Sequence, residues 1–141
     1  MDQGGRTLID IVTALIRNEQ GHVLLVRKHG TESFMQPGGK REPGESDQEA
    51  LVREVREELG CTIVPASVQP LGVFEAPAAN EPGQWLRAAA YAARVSGSIA
   101  CRAEIAEFAW VDPRAPGDRK LAPLTQNTIL PLALALEHQA L

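Results

Sequence analysis

Residues 39–61 read GKREPGESDQEALVREVREELGC, and the rest of the chain is best understood from this stretch outward. Ser46 with Glu49 three positions later makes S-x-x-E, a capping box in which each side chain satisfies a free N–H at a helix start. Asp47 suits the positive end of the helix dipole, and Gly60 is placed to supply the left-handed residue that stops a helix. The pattern predicts a helix over Asp47–Leu59. On a 3.6-residue repeat, Leu51, Val52, Val55 and Leu59 form an apolar stripe, and Glu54, Glu57 and Glu58 fall within about 100° of one another beside it. Like charges at these spacings repel by roughly a few tenths of a kcal/mol per pair, and a bound divalent cation reverses that sign. On spacing alone the same face also fits a solvated acidic helix surface.

Upstream, Thr31–Gly44 reads as a loop because Pro37-Gly38-Gly39 and Pro43-Gly44 break regular structure and leave backbone groups free for a ligand. Before it, the β-branched run Thr7–Arg17 and the apolar run His22–His29 flank the turn residues Asn18–Gly21, which predicts two strands paired with each other. Downstream, Ser67–Ala76, Trp85–Val95 and Ile105–Val111 read as strands, the alanine-rich Ala88–Ala93 being the weakest stretch. Asp112–Asp118 is a connector. Thr125–Gln139 has helical spacing interrupted by Pro131, which predicts a kink or the start of a second helix. This order of elements predicts an α/β fold, a mixed sandwich, and there is no internal repeat or low-complexity tract.

With 141 residues, 44% of them hydrophobic and 23% charged, the chain suits one domain over residues 1–141 with a sizeable core. The net charge of -4 argues against a nucleic-acid binder that works by neutralising phosphates, so an anionic substrate needs local cations or metal. Cys61 and Cys101 have no partner at ligand spacing and are expected to be buried free thiols. Met1–Arg6 lacks the basic and apolar pattern of a leader, and no run is long and apolar enough to span a membrane, so a cytoplasmic protein is expected. His22, His29 and His138 are scattered and suggest no site. Trp85 and Trp110 fit a core better than a stacking surface.

The stretch from Gly39 to Cys61 resembles the signature of the Nudix hydrolase family, G-x5-E-x7-R-E-U-x-E-E-x-G-U, where U is bulky and aliphatic. Gly39, Glu45, Arg53, Glu54, Val55, Glu57, Glu58 and Gly60 all fall in place, and only Cys61 departs. The strand order and the run AEFAWVD around Trp110 extend the resemblance over nearly the whole chain. It implies an α/β/α sandwich with a mixed β-sheet, and hydrolysis of a nucleoside diphosphate linked to another group, by water attack at phosphorus with Mg²⁺ or Mn²⁺. Nucleoside triphosphates in the manner of MutT are the leading substrate class. ADP-ribose or nucleotide-sugar hydrolysis is the alternative, and a non-catalytic nucleotide-binding module is a third, disfavoured by the intact glutamates.

The resemblance also implies roles. Glu54, Glu57 and Glu58 would ligate metal together with the Gly38 carbonyl. Arg53 would orient a glutamate, and Glu45 would support it from behind. The general base varies within the family, which leaves Glu57, Glu104 and Glu107 as candidates. Arg27, Lys28 and Lys40 stand where phosphates should lie, Gly39 lies against them, and Phe34 is a candidate base contact. Nudix proteins are often homodimers, and the apolar segment Ile129–Leu136 fits either a core or an interface.

Overall fold

The computed structural model describes residues 7–137. Its elements run β1 (Thr7–Ile16), β2 (Val23–Lys28), β3 (Gly38–Gly39), α1 (Asp47–Leu59), β4 (Thr62–Ile63), a 3₁₀ turn (Pro65–Ser67), β5 (Gln69–Pro77), β6 (Gln84–Ala93), β7 (Val95–Ser96), β8 (Ile105–Val111), a π-turn (Thr125–Ile129) and α2 (Leu130–Glu137). The main sheet has the order β3-β1-β6-β5, with β1 and β6 parallel and the outer pairs antiparallel. β2 pairs with β8, and β4 with β7, both antiparallel. The sheet is therefore mixed, as expected.

Period-2 alternation along the strands sorts the core into two clusters. Val12, Ala14 and Ile16 of β1, Leu24 and Val26 of β2, and Ala89 and Ala93 of β6 pack with Leu51, Val55 and Leu59 of α1. The intervening Leu15, Val23, Leu25, Ala88 and Ala90 pack instead with Ile129 of the π-turn and with Leu130 and Ala133 of α2. One helix on each side of the strands makes the α/β/α sandwich. Complete burial of Leu51, Val55 and Leu59 contributes roughly 1.5–3 kcal/mol each and docks α1 in a single orientation.

The helix forms where the capping residues put it. Ser46 Oγ accepts the Glu49 N–H at 3.1 Å, Glu49 Oε1 accepts the Ser46 N–H at 2.8 Å, and Gly60 closes the helix at φ 72°. Other expectations need correction. β1 and β2 form no ladder and meet only in a bridge between Arg17, just past β1, and Val23: β1 has β6 along one edge and β3 on the other, and β2 pairs with β8. The loop over Thr31–Gly44 holds the two-residue strand β3, and Ser67 belongs to the 3₁₀ turn rather than to the strand after it. The alanine-rich β6 is a strand throughout because it has a neighbour on each side, and ladder pairing outweighs weak propensity.

Cys61 is buried but Cys101 is exposed, since it lies outside regular structure between β7 and β8. Trp85 and Trp110 are both half-buried, Trp110 against the α1-side core. Pro131 lies inside helical backbone that runs from residue 123 to residue 137, two residues past the π-turn that ends at Ile129, and that irregular turn is the local break expected beside a proline. The leader reading at Met1–Arg6, His138 and the end of the predicted helix at Gln139 lie outside the described residues. Among the described residues no helix is long and apolar enough to cross a membrane.

Candidate functional site

The site is built where the short β3 turn meets the acidic face of α1. At Gly38, φ is +149° and a Cβ would lie 2.1 Å from the Val12 carbonyl oxygen, so the antiparallel contact with β1 leaves no room for a side chain. At Gly39 a Cβ would lie 1.6 Å from Glu54 Oε2. Glycine is therefore what lets a helix carboxylate rest on the turn. The Gly38 N–H donates to Glu58 Oε1 at 3.1 Å, which ties the same turn to the next glutamate of the face.

Arg53 organises the carboxylates. Its Nε and Nη2 grip Glu45 in a two-pronged pair at 2.6 and 2.8 Å, while Nη1 reaches Glu54 at 3.1 Å and Glu57 at 3.4 Å. Nη2 also donates to the Lys40 carbonyl at 3.0 Å, binding the loop to the helix. The Arg53 hydrogen bonds, helped by the Glu42 N–H, hold Glu45 down to about 2, and Glu45 in turn raises the Arg53 pKa. The pair is thus a permanently charged strut. A second strut was not legible locally: Arg41 and Tyr91 both donate to Asp47, joining the loop, the N-terminus of α1 and β6. It holds Asp47 low, through Arg41 first and Tyr91 second.

Glu58 is unlike its neighbours. It is 4% exposed, and burial pushes its carboxyl up to about 8, with Glu54 and Glu104 adding to the rise and the Gly38 N–H and Lys28 opposing it. Glu54 is raised as well, first by burial and then by Glu57, against the pull of Arg53. A buried acid that holds its proton is one whose charge lacks a counterion. The donors on offer, the Glu54 and Glu58 carboxylates and the Gly38 carbonyl, are hard oxygens of the kind Mg²⁺ and Mn²⁺ take. Among the described residues no three such side chains stand ready-made around one point. Glu54 and Glu57 lean on Arg53 and Glu58 on the Gly38 N–H, which is how like charges settle with only protein partners to choose from. The residues fit the ion, with side-chain rotation as the requirement.

A cavity of about 680 Å³ opens over this turn, and of the expected site residues it is lined by Gly38, Gly39, Lys40, Arg53, Glu54, Glu58 and Glu104, with Lys28 paired to Glu104 at 3.5 Å. Glu57, half-exposed, faces a shallower groove on the outer side of α1 with Arg56 and Arg102. Glu45 stands behind the wall as the partner of Arg53. Arg27 and Glu107 are paired with each other at 2.7 Å across β2 and β8, and neither lines the cavity. Phe34 is 7% exposed, packs in the α2-side core under Arg119, and is likewise absent from the lining, where Met35 and Gln36 stand instead. The remaining wall comes from Ile9, Ile11 and Thr13 of β1, Leu86 of β6, the loop around Asn80, and Thr125. Those residues were missed because each is unremarkable in its own segment. Only Gln36, next to the Pro37-Gly38-Gly39 turn, carried a local signal.

Comparison with known proteins agrees with this geometry. The NUDIX domain model matches residues 7–132. The 8-oxo-dGTP diphosphatase of Haemophilus influenzae is 34% identical over 76 residues, which cover 51% of this chain and 56% of that protein. The RNA pyrophosphohydrolase of Proteus mirabilis is 44% identical over 61 residues, covering 43% of this chain and 33% of its own length. The solution structure of the Escherichia coli ORF135 protein superposes with a TM-score of 0.73 at 27% identity, covering 99% of this chain and 97% of the other.

Proposed function

Since the chain belongs to the Nudix family, we propose that it hydrolyses the diphosphate linkage of a nucleotide, with nucleoside triphosphates as its substrates and Mg²⁺ or Mn²⁺ as its cofactor. The observation that carries this reading is the meeting of Glu54 and Glu58 with the Gly38–Gly39 turn at the edge of a cavity that also presents Lys28 and Lys40. The similarity to a diphosphatase acting on a nucleoside triphosphate supports the substrate class.

In this reading Glu54, Glu58 and the Gly38 carbonyl hold the metal, and Glu57 joins them by turning inward from Arg53. The metal, when bound, offsets the charge of the bridging phosphates and lowers the pKa of a bound water. Lys28 and Lys40 attract and orient the phosphates, lending the positive charge that a chain of net charge -4 lacks overall. Arg53, braced by Glu45, keeps Glu54 aimed at the turn. Of the three general-base candidates, Glu104 is the one on the cavity wall, and we assign it the proton of the attacking water. Arg27 and Glu107 then act as a strut between β2 and β8 rather than as chemistry.

The test is a screen of nucleoside triphosphates, dinucleoside polyphosphates, ADP-ribose and nucleotide sugars with Mg²⁺ or Mn²⁺, with products identified and Glu54→Gln as control. A triphosphate substrate yields a monophosphate and pyrophosphate, whereas ADP-ribose or a nucleotide sugar yields two monophosphates. Turnover that persists undiminished in a folded Glu54→Gln protein would remove the proposed centre.

A further inference from the structure

Glu104 reaches the cavity from a stretch of chain with little packing of its own. Residues 101–104 are exposed and lie outside regular structure, between β7 and β8. The ion pair with Lys28 at 3.5 Å joins a lysine side chain 35% exposed to a carboxylate 62% exposed, a contact too loose to fix that carboxylate. The direction of the Glu104 side chain therefore depends on its backbone.

That backbone is anchored on both sides. A helix ends in carbonyls that have no partner within it, and this segment takes up two of those of α1. The Arg102 N–H donates to the Glu58 carbonyl at 2.9 Å, and the Ala100 N–H donates to the Leu59 carbonyl at 2.9 Å. The Arg102 guanidinium also lies over Gly60, where a Cβ would stand 3.2 Å from its Nε. From the other side the His29 N–H donates to the Glu104 carbonyl at 2.8 Å, just past the bulge at which Arg27 pairs with Glu107 but Lys28 with Ile105. Glu58 thus has two attachments to the site: its carboxyl lines the cavity, and its carbonyl holds the turn that carries Glu104.

Between the anchors the chain reverses in one turn, closed by the Ile105 N–H donating to the Arg102 carbonyl at 3.0 Å. Ala103 is the first central residue of this turn and has a φ of +52°, the only positive φ at a non-glycine among the described residues. Glycine adopts such a conformation freely, and alanine does so at a cost. Its methyl is not there for the core, since Ala103 is exposed. What the Cβ does is narrow the backbone: a glycine samples both halves of φ/ψ space, and Glu104, the next residue, would move with it. A costly conformation that persists because its surroundings over-determine it is the kind that gathers at functional sites.

We propose that Ala103 is a positioning residue, whose restricted left-handed turn keeps the Glu104 carboxylate at one place relative to Glu58. The inference rests on the assignment of the attacking water's proton to Glu104 above, and adds what fixes that group in space. A general base works only within hydrogen-bond reach of the proton it takes, and a misplacement of about 1 Å can cost on the order of 100-fold.

The experiment measures kcat, KM and Mg²⁺ dependence with GTP, UTP and ATP, together with thermal unfolding. The proteins are the wild type, Ala103→Gly, Ala103→Asn, Glu104→Gln and the double variant Ala103→Gly with Glu104→Gln. Ala103→Gly should lower kcat roughly tenfold while KM and Mg²⁺ dependence stay within about twofold. Its Tm should stay within about 3 °C of the wild type, because relief at positive φ offsets the added freedom of the unfolded chain. Asparagine keeps a Cβ and accepts positive φ, so Ala103→Asn should retain kcat within about twofold. Glu104→Gln should lose about 100-fold or more, and adding Ala103→Gly to it should cost nothing further, since the turn acts through Glu104. Any of three results overturns the inference and leaves the proposed function standing: Ala103→Gly at wild-type kcat, Ala103→Asn as slow as Ala103→Gly, or the same fractional loss with and without Glu104. Full turnover in Glu104→Gln overturns the inference together with the choice of base, and Glu54→Gln then decides separately on the metal centre. A wild type that hydrolyses no nucleotide overturns both readings.

Discussion

Raising the pH of the metal-free protein from 5 to 8 is expected to destabilise it, and Glu58 is the reason. Its carboxyl is displaced from 4.5 to about 8 by burial, so the folded state binds the proton more tightly than the unfolded state does. The sign follows from linkage. At pH below 4.5 the group is protonated in both states and costs nothing. Between 4.5 and 8 the unfolded chain releases the proton while the folded chain keeps it, and stability falls steadily. Above 8 the penalty is complete. At 1.36 kcal/mol per pH unit the ceiling is about 5 kcal/mol, with about 3 kcal/mol already lost at pH 7. It is a ceiling because Glu58 relieves part of it by rotating toward the cavity.

Glu58→Gln keeps an acceptor for the Gly38 N–H and has no charge to bury, so it isolates the effect. The assay is thermal unfolding of both proteins in a chelator across pH 5 to 8, repeated with Mg²⁺. At pH 5 the two should differ by less than about 1 kcal/mol, the small part of the penalty already incurred there. By pH 8 the variant should be the more stable by up to about 4 kcal/mol, which for a chain of this size corresponds to roughly 8–16 °C in Tm. Mg²⁺ should raise the wild type more than the variant and narrow the gap, because the ion takes the place of the proton. A gap that stays constant with pH, or a wild type that gains on the variant as pH rises without metal, would refute the reasoning.

Two further outcomes follow from the same geometry. Arg53→Lys should lower metal-dependent turnover by roughly 10- to 100-fold, because a single ammonium cannot hold Glu45 with two prongs while also steering Glu54; steady-state kinetics against metal concentration would read this, and near-normal metal dependence would count against the strut. Gly39→Ala should fold normally by circular dichroism yet lose most turnover, since its new methyl occupies the place of Glu54 Oε2 and drives that side chain off the turn. A fully active Gly39→Ala would mean that the contact is dispensable.

What the sequence determined by itself was what local physics and short spacing control. The capping box at Ser46, the stop at Gly60 and the placing of Glu54 and Glu58 on one face all depend on residues within one or two helical turns of each other. The same holds for the glycines of the turn, although the identity of the atoms they make way for, Val12 O and Glu54 Oε2, was visible only after folding.

Tertiary structure decided everything that depends on which distant segments become neighbours. The pairing of β1 with β6 rather than β2 brings together strands about seventy residues apart, and no local pattern distinguishes that ladder from a hairpin. That pairing carries Thr13 and Leu86 to one cavity, while the β2–β8 ladder spends Arg27 and Glu107 on each other and the bridge from Phe34 to Leu121 holds Phe34 in the core. Burial decided the chemistry in the same way. Three glutamates that look alike on a helical wheel become one buried acid, one half-buried partner of Arg53 and one exposed residue on the outer side of α1 only when the sheet and the β3 turn close over part of their face.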